Sequence, residues 1–116
     1  MTTVNTVSVG KKVVNTATTV LFTVPGGYAG EVKYYNITNP SGASENVDLY
    51  WTDSSASVNV YLLKAHTLAA NASLNRTDAK LVLFAGDSMS LITDGTGSLD
   101  VTVTVELFIP AHQINL

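Results

Sequence analysis

The run Leu99 to Ile109 constrains the fold more than any other stretch. Leu99, Val101, Val103, Val105, Leu107 and Ile109 fall on one side, and Asp100, Thr102, Thr104 and Glu106 on the other. A period of two is the repeat of a pleated strand, whose successive side chains leave on opposite faces. Wound as a helix, the same apolar residues would scatter around the axis and leave no stripe to bury. The run therefore predicts a long strand with one face in a core and one in water.

The same pattern recurs along the chain. Thr18 to Val24 predicts a strand with Val20, Phe22 and Val24 alternating against Leu21 and Thr23, ended by Pro25-Gly26-Gly27. Proline lacks the ladder N–H and glycine admits positive φ, so this tripeptide turns the chain. Glu31 to Asn39 follows, with Val32 and Tyr34 set against Lys33 and Tyr35, and Pro40 to Ser44 is a loop. Asn46 to Thr52 places Val47, Leu49 and Trp51 opposite Asp48, Tyr50 and Thr52. After the Asp53–Ser57 turn, Val58 to Ala65 sets Val58, Val60 and Leu62 against Asn59 and Tyr61. Leu68 to Asp78 is expected to be a crossing between strands. Lys80–Phe84 and Ser88–Thr93 are shorter strands around Ala85-Gly86-Asp87, and Asp94-Gly95-Thr96-Gly97 is a turn. The extended runs recur roughly every ten residues, the spacing of an all-β protein.

These observations predict an all-β antiparallel β-sandwich, jelly-roll or immunoglobulin-like, of about eight strands. Residues 1–16 are expected to form an N-terminal arm or short edge strands near Val7–Val9 and Val13–Thr16, with a turn at Gly10-Lys11. Residues 17–110 form the sandwich and 111–116 a C-terminal tail.

Composition narrows the function. Only 13% of the 116 residues are charged, against roughly 25% in an average soluble protein. Thr, Ser and Asn cover the surface instead, and such a surface is cheaply desolvated against a partner. The net charge of −3 comes with one basic pair, Lys11-Lys12, which gives no phosphate-facing patch for nucleic acid. Cysteine is absent, so disulfides and thiolate metal sites are excluded. The start MTTVNTVSVGKK lacks a signal-peptide pattern, and no apolar run is long enough to span a membrane as a helix. Assembly in a cytoplasm is expected, without membrane or cofactor.

No motif points to catalysis. His66 and His112 lack matched carboxylates at metal-ligand or acid–base spacing. Asp94 to Ser98 with Asp100 has oxygen ligands but lacks the alternating carboxylates and terminal glutamate of a calcium loop, and a hairpin turn explains it. Asp53-Ser54-Ser55 has no base nearby in sequence, and the glycine pairs are not followed by the Lys-Ser/Thr of a phosphate loop. Asn36, Asn71 and Asn75 match the glycosylation pattern, yet without a secretory signal no glycan is expected. Aromatic residues are more informative. Trp51 shares the face of Val47 and Leu49 and is expected in the core. Tyr50 and Tyr61 are expected to point outward, where tyrosine packs well against another subunit or a sugar. Tyr35, Val7, Val9, Ile114 and Leu116 complete the candidate interface residues.

The blocks Leu21-Phe22-Thr23-Val24-Pro25-Gly26-Gly27-Tyr28, Asn36-Ile37-Thr38-Asn39 and Leu49-Tyr50-Trp51-Thr52-Asp53-Ser54 occur in that order. Tyr61-Leu62-Leu63-Lys64 and Leu81-Val82-Leu83-Phe84-Ala85-Gly86-Asp87 follow. This order, across Thr18 to Leu107, resembles a group of small virion proteins of tailed bacteriophages. The resemblance implies a non-enzymatic β-sandwich subunit of the particle that decorates or cements the capsid. Its partners would be the major capsid protein or other virion proteins, and it would form a homo-oligomer, a trimer suiting three-fold sites. A tail, neck or fibre component is the alternative within the particle. A carbohydrate-binding module with outward tyrosines is the alternative outside it, and a patch for host-surface glycans fits both.

Overall fold

The computed structural model describes residues 2–14, 17–77, 79–95 and 97–110, with side chains from residue 5 onward. Nine strands occupy these residues: β1 (Thr2–Val14), β2 (Thr19–Thr23), β3 (Ala29–Thr38), β4 (Glu45–Asp53), β5 (Val58–Leu68), β6 (Ser73–Arg76), β7 (Leu81–Phe84), β8 (Ser88–Thr93) and β9 (Ser98–Ile109). The described residues include no helix.

The chain folds back on itself at the β4–β5 hairpin. On either side of that bend, β4 pairs β5, β3 pairs β6 and β7, β2 pairs β8, and β1 pairs β9, all antiparallel. Two further pairings, β3 with β9 and β4 with β8, roll this long double ribbon into two sheets. One sheet runs β1-β9-β3-β6, with β7 beside β6 on β3, and the other runs β2-β8-β4-β5. This is a β-sandwich in jelly-roll order. An immunoglobulin-like sandwich would instead pair the first strand with the second.

Turn chemistry places the corners. Gly27 has φ 85° and the Tyr28 N–H donates to the Pro25 carbonyl at 3.2 Å. Gly86 has φ 88° and the Asp87 N–H donates to the Phe84 carbonyl at 2.9 Å. Both are turns whose third residue needs positive φ, which glycine takes without a Cβ clash.

Between the sheets lies one apolar core. Val13, Leu21, Val24, Val32, Tyr35, Ile37, Val47, Leu49, Leu68, Leu83, Met89, Leu91, Leu99, Val101, Val103 and Val105 pack together there. Each buried aliphatic side chain contributes about 1.5–3 kcal/mol of transfer free energy. Leu99 to Val105 obey the predicted alternation, every second residue being buried, but beyond them Phe108 is buried and Ile109 exposed, the reverse of the expectation.

Four departures from the sequence expectation have local causes. Residues 2–14 are one continuous strand paired along β9, with no turn at Gly10-Lys11. In β2 the register shifts between Val20 and Phe22, so Leu21 and Val24 turn inward while Val20 is exposed. In β3 a shift between Val32 and Tyr34 makes Lys33 the extra residue, and Val32 and Tyr35 both reach the core. A bulge of this kind reverses the facing of everything beyond it. Finally, the crossing after Leu68 contains a short strand, β6, which pairs with β3.

Candidate functional site

β4 is a middle strand, whereas β5 is the outer strand of its sheet. β5 pairs with β4 on one side, and along Val58–Leu62 both its faces meet solvent, whereas Leu63 and Leu68 pack on the core. Val58 is 48% exposed, Val60 40%, Tyr61 46% and Leu62 37%. An outer strand with uncovered apolar side chains and unpaired backbone groups invites another chain to pair with it.

The hairpin that carries this edge is held firmly. Asp53 Oδ1 accepts from Ser55 N at 3.2 Å, Ser55 Oγ at 2.8 Å and Ala56 N at 3.3 Å, which closes the turn. Tyr61 packs on Tyr50 with ring centroids 5.4 Å apart and planes tilted by 54°. The Lys64 ammonium lies 4.5 Å from the centre of the Tyr61 ring, within cation–π range. Lys64 Nζ also donates to Asp48 Oδ2 at 3.2 Å, and the Ala65 N–H donates to Asp48 Oδ1 at 2.7 Å. The backbone N–H of Ala65, and secondarily Lys64, hold the Asp48 carboxyl below its usual range. The hydrogen bond to Asp48 in turn raises the Lys64 pKa.

Two irregularities shape β5. The ladder slips between Leu49 and Tyr50, leaving Leu62 as an extra residue, and again between Val47 and Leu49, where Lys64 and Ala65 face Asp48. Ala65 takes φ 48° there. Regular pairing is thus split into two stretches, Val58–Tyr61 opposite Tyr50–Asp53 and His66–Leu68 opposite Glu45–Val47.

Beside this edge lies a shallow hollow of about 170 Å³ lined by Asn46, Asp48, Lys64, Ala65, Ile92 and Asp94. Its polar groups are matched to one another. Asp94 accepts from Asn46 N at 2.9 Å and Asn46 Nδ2 at 3.0 Å, and Asn46 Oδ1 accepts from Thr67 Oγ1 at 2.7 Å. Among the described residues, no group of three or more His, Asp or Glu side chains is arranged to hold a metal ion.

The turn after β8 has a specific occupant. Glu45 is buried, accepting from Thr93 Oγ1 at 3.1 Å and Gly97 N at 3.0 Å. A Cβ on Gly95 would overlap the Glu45 carboxylate, and one on Gly97 would come within 2.6 Å of it. The glycines of this turn make room for a structural carboxylate. Asp100 lies elsewhere, 2.7 Å from Lys12 Nζ. Ser54 serves the fold too, donating through N and Oγ to Asp87 Oδ1 at 3.0 and 3.1 Å.

The predicted interface residues separate on burial. Tyr61 is exposed on β5, and Val7 and Val9 are half-buried on β1. Tyr50 is buried at 9% exposure, covered by Tyr61, and Tyr35 is buried at 5% within the core. Neither presents a free ring to a partner. Ile114 and Leu116, like His112, lie outside the described residues. Trp51 is half-buried against the core, as its face implied. The sequence reading missed that Val58, Val60 and Leu62 would be left uncovered. The signal available was Val58-Asn59-Val60-Tyr61-Leu62-Leu63 itself, in which apolar residues fall on both faces.

Comparison with protein-family models and with curated proteins finds no match to this chain.

Proposed function

We propose that this chain is a non-enzymatic bacteriophage virion structural protein, a capsid decoration or cement subunit that binds and stabilises the head shell as an oligomer. The observation that carries the assembly part is the outer strand β5, which leaves Val58, Val60, Tyr61 and Leu62 at the surface of an otherwise well-packed sandwich. The order of the sequence blocks, which resembles that of small tailed-phage virion proteins, is what supports the virion part. Jelly rolls recur in viral capsids, although also in lectins and cupins, so the fold alone does not select the function.

The mechanism is mechanical. A small oligomer seated where shell subunits meet holds several of them at once, and each contact made raises the effective concentration for the next. Purified particles are expected to contain the chain, and particles lacking it are expected to lose heat resistance. Intact heat resistance without it would exclude the cement role, and its location in a particle reconstruction separates head from tail, neck or fibre. A carbohydrate-binding role has weaker support, because Lys64 lies against the Tyr61 ring and the polar groups of the adjoining hollow are already paired. Specific binding on a glycan array would promote it.

A further inference from the structure

We propose that Asp94-Gly95 is a site of spontaneous backbone rearrangement to isoaspartate, and that Asn46 is the latch that holds the rearrangement off while the sandwich is intact.

Asp94 is the one aspartate or asparagine in the chain that glycine follows directly. At such a step the Gly95 nitrogen can close a five-membered ring on Asp94 Cγ, because glycine has no Cβ to crowd the approach. The atoms balance with water as the only co-reactant. The carboxylate takes up a proton, the Gly95 nitrogen bonds to Cγ, and the hydrogen on that nitrogen leaves with the carboxyl OH as water. Water then adds to either carbonyl of the ring. Opening at one restores the aspartate. Opening at the other leaves the main chain running through Cγ, one methylene longer than before.

The fold opposes closure at both reacting groups. Asp94 Oδ1 accepts from Asn46 N at 2.9 Å, Asp94 Oδ2 accepts from Asn46 Nδ2 at 3.0 Å, and the Asp94 N–H donates to the Asn46 carbonyl at 3.1 Å. Both carboxylate oxygens are thus turned toward β4, and two charge-assisted bonds must break before Cγ meets its own main chain. Asn46 is anchored in turn, accepting through Oδ1 from Thr67 Oγ1 on β5 at 2.7 Å. The Gly95 N–H is also engaged, donating to Thr93 Oγ1 at 3.3 Å. Asp94 is nonetheless exposed, so water reaches the site when the latch opens.

The same corner makes the rearrangement consequential. Gly95 lies against the buried Glu45 carboxylate, where even a Cβ would overlap it. An added methylene displaces Gly95 from this position, and with it the Gly97 N–H that donates to Glu45 Oε1 at 3.0 Å. Isoaspartate is therefore expected to undo the clasp between the start of β4 and the turn after β8. Asp53-Ser54 is an internal comparison, since its serine carries a Cβ.

The test follows isoaspartate in the full chain incubated warm at neutral pH, with and without urea. Peptide mapping by electron-transfer fragmentation separates the two links at equal mass. In urea the parent is expected to accumulate isoaspartate at Asp94 and not at Asp53. The folded parent is expected to form it about tenfold more slowly, the factor that one charge-assisted hydrogen bond represents. Asn46→Ala, folded by circular dichroism, is expected to age severalfold faster than the folded parent. Asp94→Glu, whose longer side chain cannot close the five-membered ring, is expected to form none. No isoaspartate at Asp94 in urea, or equal rates in the folded and unfolded parent, would overturn the proposal. So would a folded Asn46→Ala protein that ages no faster than the parent. Should that variant fail to fold, Thr67→Val, which removes the anchor of Asn46, takes its place with the same expectation.

Discussion

Asp48 ties the exposed hairpin together, and its protonation links that hairpin to pH. The Ala65 N–H and the Lys64 ammonium favour its charged form, so its folded-state pKa lies below the ordinary carboxylate value near 4. The folded protein therefore binds this proton less readily than the unfolded chain. The resulting stabilisation is complete above the ordinary value and is lost as pH falls through the lowered folded value. Asp48→Asn is expected to cost about 1 kcal/mol at neutral pH, with the difference from the parent closing as the solution is taken well below pH 4. Urea denaturation of both proteins across the acid range measures this. At the same scale, Tyr61 was legible as an outward aromatic, while Tyr50 was not recognisable as buried. Both alternate outward in their own strands, but Tyr50 has a neighbouring strand on each side and Tyr61 on one.

At the scale of elements, single polar side chains fasten strands that lie far apart in sequence. Asp87 is buried and joins the β7–β8 turn to the hairpin tip, accepting from Ser54 N, Ser54 Oγ and Phe84 N. Asn39, fully buried, donates to the carbonyls of Ala43, Leu68 and Ala69 and accepts from Ser41, which locks the loop after β3 to the end of β5. Asp87→Ala strands several donors at once and is expected to destabilise the fold by about 2–4 kcal/mol, seen as a lower urea midpoint with an unchanged slope. These fasteners were invisible in the sequence because Asp and Asn in turns have an adequate local explanation there. The bulges were equally hidden. Nothing in Thr19–Thr23 marks Leu21 as the extra residue, since the slip exists only relative to β8.

For the whole molecule, the pairing of β1 with β9 means that the two ends of the described chain are held in one sheet. A fold whose first strand meets its last depends on long-range contacts, which are slow to form because loop closure precedes their reward. Deleting residues 2–14 would expose the apolar edge of β9 and remove Val13 from the core. The truncated chain is expected to aggregate or bind a hydrophobic dye where the parent does not, measured by light scattering and dye fluorescence. A chain that stays monodisperse without β1 would show that the sandwich does not depend on residues 2–14.

Residue order alone determined that the chain would be a stack of strands, and approximately where most of them end, β1 and β6 excepted. Period-two alternation and the Pro25-Gly26-Gly27 and Ala85-Gly86-Asp87 breaks are local properties, written within a few consecutive residues. The tertiary structure decided which strand became the margin of a sheet, which residues bulged, and hence which apolar side chains stayed in water. Those outcomes depend on pairings between distant segments. Val60 on β5 and Val103 on β9 have similar sequence surroundings, yet one lies at an open edge and the other between two neighbouring strands.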